Sequence, residues 1–507
     1  MSHSTFDKVL EQSKQLHIVH GIESLLDWDR EVMMPESASE GRGQELKFLS
    51  GLAHKMALSK KFTKPLFELI DEGSGEILDH TLDEGQKACL REWRRNYRIQ
   101  SALPQKFVES FAELASNANH VWRIARKEKN YALFAPYLQK IIDANRKKAK
   151  YIGYTEHPYD ALLDLYEQGM TTKSATELFN GLKGPLVQLL ERIRKQPQVD
   201  TSILFGNFPT DPQLAFCKKV LEALGFDWTR ERLDLSTHPF CSSSQPNDCR
   251  ITTRIDTKDL FNCLSSVLHE AGHALYDLGL PKEKWGSPLG DSVSMGIHES
   301  QSRFWETRIG LSLPFAAFIL PLAKEAFPGS FAKANPASLH KALNKVEPSF
   351  IRVEADEVTY PLHIILRFEI EKQFLEGSLD AKDLPDAWNA KMKELLGIVP
   401  SDDALGCLQD VHWSGGAMGY FPTYSLGNLY AAQLFETFEK AHPDWKSQVE
   451  SGRFAFIREF LNEKIYRWGH RYNGPELIRL ATGAPLSPDA YIRYLNGKYR
   501  SIYSITD

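Results

Sequence analysis

Cysteine is scarce in this 507-residue sequence, and the six residues present are widely scattered. No two of them form a Cys-x-x-Cys pair, the spacing that is typical of redox and zinc-binding motifs. A chain of this length has room for a large hydrophobic core and does not need disulfide bonds to fold. The cysteine pattern therefore argues against a disulfide framework and indicates a reducing compartment.

Long apolar segments are missing as well. The N-terminal residues lack an apolar core of signal-peptide length. No run approaches the roughly 18 consecutive apolar residues that a membrane-spanning helix requires. These two absences predict a cytoplasmic protein that does not have a membrane as its partner.

An excess of charge of one sign is also absent. The chain carries 61 Lys and Arg residues against 66 Asp and Glu residues, a formal net charge of −5. A surface for nucleic acid would require a basic excess. The balance argues against nucleic acid as a partner, and 42% hydrophobic with 25% charged residues is an ordinary globular composition.

Helical periodicity dominates the pattern that is present. Residues 107–121, for example, carry apolar side chains three and four positions apart, which predicts one face of an amphipathic helix. Strand signals are sparse, and the clearest is the β-branched run 250–255, which follows a turn-like stretch at 242–248. We therefore expect a mostly α fold over residues 1–507, as a single elongated body or as two helical lobes around a groove.

The segment His269-Glu270-Ala271-Gly272-His273 carries the strongest chemical signal. Its apolar neighbours keep helical spacing, and on an ideal helix His269 and His273 lie about 40° apart. Both imidazoles can therefore reach one cation, while Glu270 is close enough to act as a general base on a metal-bound water. The alternative, two histidines satisfied by ordinary contacts, is weaker in this helical setting.

A catalytic zinc site needs a third protein ligand and an open position for water. Glu299 follows His273 by 26 residues and begins what looks like a second helix. It is our first choice for that ligand, with His298 and Glu306 as the competing candidates. Spacing alone does not decide between them, because a lone glutamate on a helix is usually solvated.

Further motifs surround the predicted metal helix in a fixed order along most of the chain. They are Leu25-Leu26-Asp27-Trp28-Asp29, His238-Pro239-Phe240, Asp248-Cys249-Arg250-Ile251-Thr252, His298-Glu299-Ser300-Gln301, Ile351-Arg352-Val353-Glu354-Ala355-Asp356 and Gly406-Cys407-Leu408-Gln409-Asp410-Val411-His412-Trp413. Together with the metal helix, this series resembles the carboxypeptidase Taq family of zinc metallocarboxypeptidases.

That resemblance implies a mostly α fold with a deep substrate groove and a homodimer. It also implies a divalent metal, usually Zn²⁺ with Co²⁺ as a possible substitute. The implied activity is the hydrolysis of the C-terminal peptide bond of peptides that have a free C-terminus, with broad specificity. The run 250–255 places a small β-element beside the metal helix.

The chemistry of peptide hydrolysis then assigns candidate roles. Glu270 would take a proton from water and deliver it to the leaving amine. A donor facing the developing oxyanion is also expected, and Tyr420 is our first choice, with His412 and Tyr424 behind it. For Tyr420, packing with a single hydrogen bond is an equally good interpretation.

An exopeptidase must also bind the terminal carboxylate, which a planar guanidinium matches with two parallel N–H groups. Arg352 and Arg250 lie inside family-like motifs and are the candidates, with Arg254 weaker. For any one arginine the alternative is a surface ion pair. His238 is expected near the substrate, with a structural turn as its rival role, and the strand at 250–255 offers an edge along which a peptide could pair.

Two other functions remain open from the sequence. One is an endo-acting zinc oligopeptidase or dipeptidyl carboxypeptidase on a similar helical scaffold, which would differ in what closes the groove. The other is a non-catalytic helical binding protein with a vestigial or structural metal site. The intact Glu270 argues against the second, because structural zinc sites have four protein ligands and no poised base.

Overall fold

The computed structural model describes residues 4–506 as a largely helical chain with one small sheet. The helices are α1 (Thr5–Val32), α2 (Ser39–Ala57), α3 (Lys60–Phe67), α4 (Glu84–Ala102), α5 (Gln105–Glu128), α6 (Tyr131–Ile152), α7 (Pro158–Leu163), α8 (Thr172–Arg194), α9 (Thr210–Leu224), α10 (Leu260–Gly279), α11 (Met295–Arg303), α12 (Leu313–Ala326), α13 (Pro336–Leu343), α14 (Tyr360–Glu376), α15 (Leu384–Leu396), α16 (Pro422–Ala441), α17 (Trp445–Glu450), α18 (Ala455–Lys464), α19 (Gly474–Thr482) and α20 (Asp489–Tyr503). A π-helical turn, Phe304–Ile309, continues α11. The predicted mostly α fold is confirmed.

Side-chain caps set the starts of the two central helices. At the start of α10 the carboxylate of Asp259 accepts hydrogen bonds from the backbone N–H groups of Phe261 and Asn262. At the start of α11 the hydroxyl of Ser294 accepts one from Ile297. Each such cap satisfies N–H groups that have no partner within the helix and is worth about 1 kcal/mol. The caps determine where along the chain each helix begins.

The sheet contains β1 (Glu231–Leu235), β2 (Cys241–Gln245) and β3 (Asp248–Thr253) in the order β1-β3-β2. β3 is parallel to β1 and antiparallel to β2, and it lies beside α10 as predicted for the β-element. The sequence places its strand two residues too late, at 250–255. The stretch 242–248, predicted as a turn, is mostly β2, because pairing with β3 outweighs the weak strand propensity of its serines.

Two glycines allow the central helices to approach closely. A Cβ added at Gly272 of α10 would lie 2.5 Å from Cα of Ser302 on α11. A Cβ added at Gly427 of α16 would lie 2.4 Å from Cγ of Glu299. Both distances are shorter than real contacts allow, so glycine is required at both positions. α11 is therefore held between α10 and α16, with Glu299 at the contact.

The hydrophobic core of residues 4–506 forms two clusters. The larger one extends from Ala118 on α5 to the C-terminal helix α20 and surrounds the central helices. The smaller one joins α1, α3 and α4 around Trp93. The expected organisation, a single domain over residues 1–507 or two helical lobes around a groove, stays a prediction.

No single helix among residues 4–506 is both long and apolar enough to cross a membrane. A bent pair, Pro288–Ile309 followed by Leu313–Ala326 at an angle of 76°, passes that test together, by length and composition alone. Within this pair, Trp305 and Phe315 are fully buried in the protein.

Candidate metal centre

The two motif histidines lie one turn apart on α10 and face the same carboxylate. Nε2 of His269 is 3.5 Å and Nε2 of His273 is 3.6 Å from Oε2 of Glu299. Glu299 comes from α11, which the close contacts at Gly272 and Gly427 hold in place. The structure thus brings the three predicted ligands together, with one donor atom from each within 4.8 Å of the others.

Glu306, a competing candidate for the third ligand, lies on the outer side of His269. Its Oε2 is 2.8 Å from Nδ1 of His269, and its Oε1 accepts a hydrogen bond from Ser265 at 2.8 Å. The π-helical turn after α11 brings Glu306 to this position. The contact orients the ring of His269 so that Nε2 faces Glu299, which is the usual role of a carboxylate behind a metal-binding histidine.

His298, the other competitor, supports His273 in a similar way. Nδ1 of His298 is 2.5 Å from Nδ1 of His273, and its Nε2 is 2.8 Å from Oδ1 of Asp277. Behind Glu299, Arg303 donates from Nε to Oε1 at 2.8 Å. Each of the three predicted ligands therefore has a partner behind it that fixes its orientation, and such partners are typical of metal sites.

The donor set fits a zinc-type cation. Two imidazole nitrogens and one carboxylate oxygen are found in catalytic zinc sites, whereas Mg²⁺ and Ca²⁺ prefer oxygen ligands alone. Nitrogen and oxygen ligands at tetrahedral zinc lie about 3.4 Å apart. The separations of 3.5 and 3.6 Å between the histidine nitrogens and Oε2 of Glu299 are close to that value. The residues present can hold a divalent metal without rearrangement.

Glu270 lies beside this cluster in a largely dehydrated position. The residue is 6% exposed and lines the same cavity as the two histidines. Burial raises the pKa of Glu270 to about 7, against the opposing effect of the neighbouring His269. A carboxyl group whose pKa lies near neutrality can both accept and release a proton during turnover.

A cavity of about 750 Å³ opens beside the cluster. Its walls come from α1, the segment 239–246 that contains β2, α10, the segment 280–299 and the segment 420–424. Side chains that line it away from the metal ligands include His17, His20, Ser24, Phe240, Lys282, Trp285, Asp291, Met295, Tyr420 and Tyr424. The family resemblance implies a deep groove, and this cavity is the one that borders the three predicted ligands.

Tyr420 and Tyr424 reach this cavity, whereas His412 lies behind them. The ring centroids of the two tyrosines are 5.3 Å apart. Nε2 of His412 is 3.3 Å from the hydroxyl of Tyr424, and its Nδ1 is buried without a hydrogen-bond partner among the described residues. Burial lowers the pKa of His412 to about 4, so its ring is neutral near pH 7. The structure therefore places the candidate donors in the order Tyr420 and Tyr424 first, His412 second.

Arg352 is buried behind Tyr424 and outside the cavity lining. Its Nε and Nη2 donate to Asp410 at 3.0 and 2.9 Å, and its Nη1 donates to the hydroxyl of Tyr360 at 3.0 Å. The guanidinium carbon lies 4.8 Å from the ring centroid of Tyr424. Arg367 also binds Asp410, with Nε 2.7 Å from Oδ2. Two arginines thus share one carboxylate, which leaves a net positive charge directly behind the tyrosine wall.

The other substrate-binding candidates do not line the cavity. Arg250 makes a two-point contact with Asp248, at 2.7 and 2.9 Å, and stacks over Trp28 at 4.3 Å. Because side chains alternate along a strand, Arg250 points away from the face that Cys249 and Ile251 turn to the core. Arg254 lies at the surface, and His238 is exposed in the connection between β1 and β2.

The expectation that a peptide pairs along the strand at 250–255 is wrong. β3 is the middle strand, with β1 on one side and β2 on the other, so both of its edges are already hydrogen-bonded. The strand that borders the cavity is β2, through Cys241, Ser243 and Ser244. β2 contains no β-branched residue, so its sequence predicts a turn and gives no sign of an edge strand.

The sequence analysis did not predict that α1 lines the cavity. His17, His20, Gly21 and Ser24 all line it. Their spacing of three and four residues is that of one helix face, so the signal was present as a polar stripe. Nothing local, however, indicates that this face turns toward α10, which lies more than 200 positions later in the chain.

Comparison with known proteins agrees with this geometry. Residues 8–499 match the model of the carboxypeptidase Taq (M32) metallopeptidases. The chain belongs to that family. The thermostable carboxypeptidase 1 of Thermus thermophilus is 39% identical, with 99% of each chain covered, and carboxypeptidase 1 of Bacillus subtilis is 38% identical, with 95% of each covered.

Solved structures give the same result. An M32 carboxypeptidase from Deinococcus radiodurans superposes with a TM-score of 0.96 at 34% identity, covering 99% of this chain and 100% of the other. A carboxypeptidase from Pyrococcus furiosus gives 0.94 at 37% identity, covering 98% and 99%. The family resemblance predicted from the motifs is confirmed, and membership places the chain among metallopeptidases.

Proposed function

We propose that this chain is a zinc-dependent carboxypeptidase that removes single residues from the C-termini of peptides with broad specificity. One observation carries the proposal: His269, His273 and Glu299 direct donor atoms to a common point, with the buried Glu270 beside them in a cavity of about 750 Å³. The names of the relatives, all carboxypeptidases, agree with it.

The proposed reaction divides the work among residues of this chain. A zinc ion held by the three ligands supplies Lewis acidity toward water and toward the scissile carbonyl. Glu270 removes a proton from the attacking water and transfers it to the amine that leaves. Tyr420, at the cavity wall, donates a hydrogen bond to the carbonyl oxygen as negative charge develops on it.

Arg352 is our first candidate for recognition of the terminal carboxylate. Its guanidinium lies behind Tyr424, and together with Arg367 it exceeds the charge of Asp410 by one unit. A carboxylate that enters a partly dehydrated groove needs a compensating positive charge nearby. Arg250 is the second candidate, although it lies against Trp28 in this structure.

A timed digest of one defined peptide, followed by mass spectrometry, tests the proposal. Single residues should leave in order from the C-terminus, and they should stop leaving when the C-terminus is amidated. Internal fragments or dipeptides would instead favour an endo-acting oligopeptidase or a dipeptidyl carboxypeptidase.

Removal of metal with a chelator should abolish the activity, and Zn²⁺ or Co²⁺ should restore it. Full activity in rigorously metal-free protein would disprove the metallopeptidase mechanism.

The partners we propose are peptides with a free C-terminus and a second copy of this chain. The homodimer rests on the family resemblance, and sedimentation of the purified protein over a range of concentrations tests it. A single species at the mass of one 57.7 kDa chain would contradict it. Nucleic acid and membranes are not expected to bind, since the net charge is only −5.

A further inference from the structure

A second group of potential metal ligands lies where β2, β3 and α10 meet. Sγ of Cys241 and Sγ of Cys249 are 3.6 Å apart. Asp277 completes a group with one donor atom from each residue within 4.8 Å of the others. Cys241 and Asp277 line the cavity, whereas Cys249 is fully buried beneath them. None of the three is a ligand of the proposed catalytic metal.

We propose that Cys241, Cys249 and Asp277 form a second metal site, which binds a thiophilic divalent cation such as Zn²⁺ or Cd²⁺. Thiolates select such cations over Mg²⁺ and Ca²⁺, and a carboxylate is an acceptable third ligand. Sulfur ligands at tetrahedral zinc lie about 3.8 Å apart. The observed separation of 3.6 Å means that the two sulfur atoms are already spaced to share one cation.

A disulfide bond is the competing fate of the two cysteines, and the strand register disfavours it. Ser243 pairs with Cys249, and Cys241 pairs with Ile251, so the two cysteines are diagonal neighbours. Diagonal positions are about 7–8 Å apart, whereas the Cα atoms of a disulfide usually lie about 4.4–6.8 Å apart. A disulfide would require the backbone to move, and an ion between the sulfur atoms would not.

Ser243 occupies the space between the thiols and the carboxylate. Its Oγ is 2.5 Å from Oδ2 of Asp277 and 3.1 Å from Sγ of Cys249. The hydroxyl can rotate away or remain as a weak fourth neighbour of the cation. Both thiols must lose their protons to become ligands, so each binding event releases two protons and binding strengthens as the pH rises. Because Cys241 and Asp277 face the cavity, the ion can enter from the solvent.

Asp277 connects this site to the catalytic one. Its Oδ1 contacts Nε2 of His298 at 2.8 Å, and His298 contacts His273. A cation on Oδ2 withdraws negative charge from Asp277 and weakens its hold on His298, which in turn orients a proposed catalytic ligand. Occupancy of the second site should therefore reduce turnover. This consequence, unlike the binding itself, rests on the proposed peptidase function.

A Cd²⁺ titration of protein whose catalytic site has been loaded with Zn²⁺ tests the binding. The readouts are the ultraviolet thiolate-to-metal charge-transfer absorption and the metal content by elemental analysis. The parent should take up one extra ion with that absorption. Cys241→Ser and Cys249→Ser should each weaken its binding by more than about tenfold, because even the loss of an outer partner costs that much. Cys241 is only partly buried, so Cys241→Ser still tests the site if Cys249→Ser, at a buried position, fails to fold.

The buried pair Cys217 and Cys263 provides a matched control. Their Sγ atoms are 3.5 Å apart, but no third His, Cys, Asp or Glu among residues 4–506 offers a ligand atom within 4.8 Å of both. Cys217→Ala should therefore keep the extra ion and its absorption. A parent without thiolate absorption, an equal loss in Cys217→Ala, or a disulfide between Cys241 and Cys249 in peptide maps of the purified protein would overturn the site.

The effect on activity is measured as a ratio of rates with and without the extra Cd²⁺. That ratio should fall severalfold in the parent and stay near one in Cys241→Ser, whatever the rate of each protein without Cd²⁺. Equal ratios in the two proteins would overturn the link through Asp277. A protein that binds the extra ion with thiolate absorption but never cleaves peptides would contradict the proposed function and leave the site intact.

Discussion

Two clusters of buried charge lie near the cavity, and they are built in opposite ways. In the candidate metal centre, the side chains that support the three predicted ligands lie behind them, so that Nε2 of His269 and His273 and Oε2 of Glu299 remain directed to one point. In the second cluster, Arg352 and Arg367 both direct their N–H groups to Asp410, whose carboxylate accepts hydrogen bonds from both. Only the first cluster, the candidate metal centre, turns polar atoms toward the cavity, where a metal or a substrate can reach them.

This difference separates direct from indirect roles. A residue whose polar atoms face the cavity can bind a metal or a substrate without first breaking a contact. A residue such as Arg352, which is 5% exposed and paired with Asp410, acts through the electric field of its cluster or must exchange partners. Substitutions in the first cluster should therefore affect catalysis and metal affinity, and substitutions in the second should affect selectivity.

The largest effect is expected from Glu270→Gln. The amide has nearly the shape of the carboxylate but cannot accept a proton, so turnover should fall by at least about 10²- to 10⁴-fold while the metal is retained. The measurement is kcat on a defined peptide together with the metal content of the same sample. A variant that keeps most of its kcat with metal bound would place the base elsewhere.

The next test compares two glutamates on either side of His269. Glu299→Ala removes a proposed ligand and should abolish tight metal binding. Glu306→Ala removes an outer partner, so the loss of metal affinity should be only about 10- to 100-fold. Competition with a chromophoric chelator measures both constants. If Glu299→Ala binds zinc like the parent and Glu306→Ala does not, the assignment of the third ligand is wrong.

The second cluster is tested through Arg352→Ala with a two-by-two comparison of parent and variant on free-acid and amidated peptides. If the guanidinium exchanges Asp410 for the substrate carboxylate, loss of that charge-assisted contact should lower kcat/KM for the acid by roughly tenfold to a hundredfold, or about 1.5–3 kcal/mol. The amide lacks the charge and should lose far less. Arg352→Lys should recover only part of the loss, because an ammonium group cannot form a two-point pair.

Equal losses on both substrates would show that Arg352 supports the fold through Asp410 and does not select the carboxylate. Thermal unfolding of the same variants separates these cases, because a purely structural role lowers the melting temperature without changing the ratio between acid and amide. Arg250→Ala should then be tested in the same comparison.

The smallest effect is expected from Gly272→Ala, which alters the spacing of the first cluster without removing any of its groups. The added methyl group meets the backbone of α11 at 2.5 Å and should cost about 1–3 kcal/mol of unfolding free energy. Gly497→Ala is the matched control, since its methyl group would meet nothing within 4 Å on α20. The control should be neutral or stabilising by up to about 1 kcal/mol. Denaturant unfolding of both variants is the measurement, and equal stabilities would contradict the close-packing argument.

The predictions that succeeded from sequence rest on local periodicity. The helix of residues 107–121 is confirmed within α5, and the spacing of His269 and His273 is set by the geometry of one helix. The predictions that did not succeed depend on contacts across the chain. The turn predicted at 242–248 is mostly strand β2. Its own residues have a weak preference for strand conformation, but hydrogen bonds to the neighbouring strand β3 stabilise it.

The placement of the arginines shows the same limit. The motif around Arg352 marks it as functional, but its ion pair with Asp410 joins residues 58 positions apart. Arg250 lies on a strand whose alternation turns it toward Trp28, a residue of α1. Neither Asp410 nor Trp28 can be predicted as a partner from the residues adjacent to the arginines. The sequence therefore identifies Arg352 and Arg250 as candidates but does not show which of them lies near the cavity.

The order of residues alone was sufficient for the helical fold class and for the placement of His269, Glu270 and His273 on one helix, since both depend on spacing within a few turns of chain. It was also sufficient for the family, because that resemblance rests on the identity and order of motifs along the chain and not on how they pack. Tertiary structure alone showed that Glu306 and His298 stand behind the histidines and that Glu299 faces them. It also showed that α1 and β2 complete the cavity and that Cys241, Cys249 and Asp277 meet. Those arrangements depend on how closely α10, α11, α16 and the sheet pack, and packing at that distance is a property of the whole folded chain.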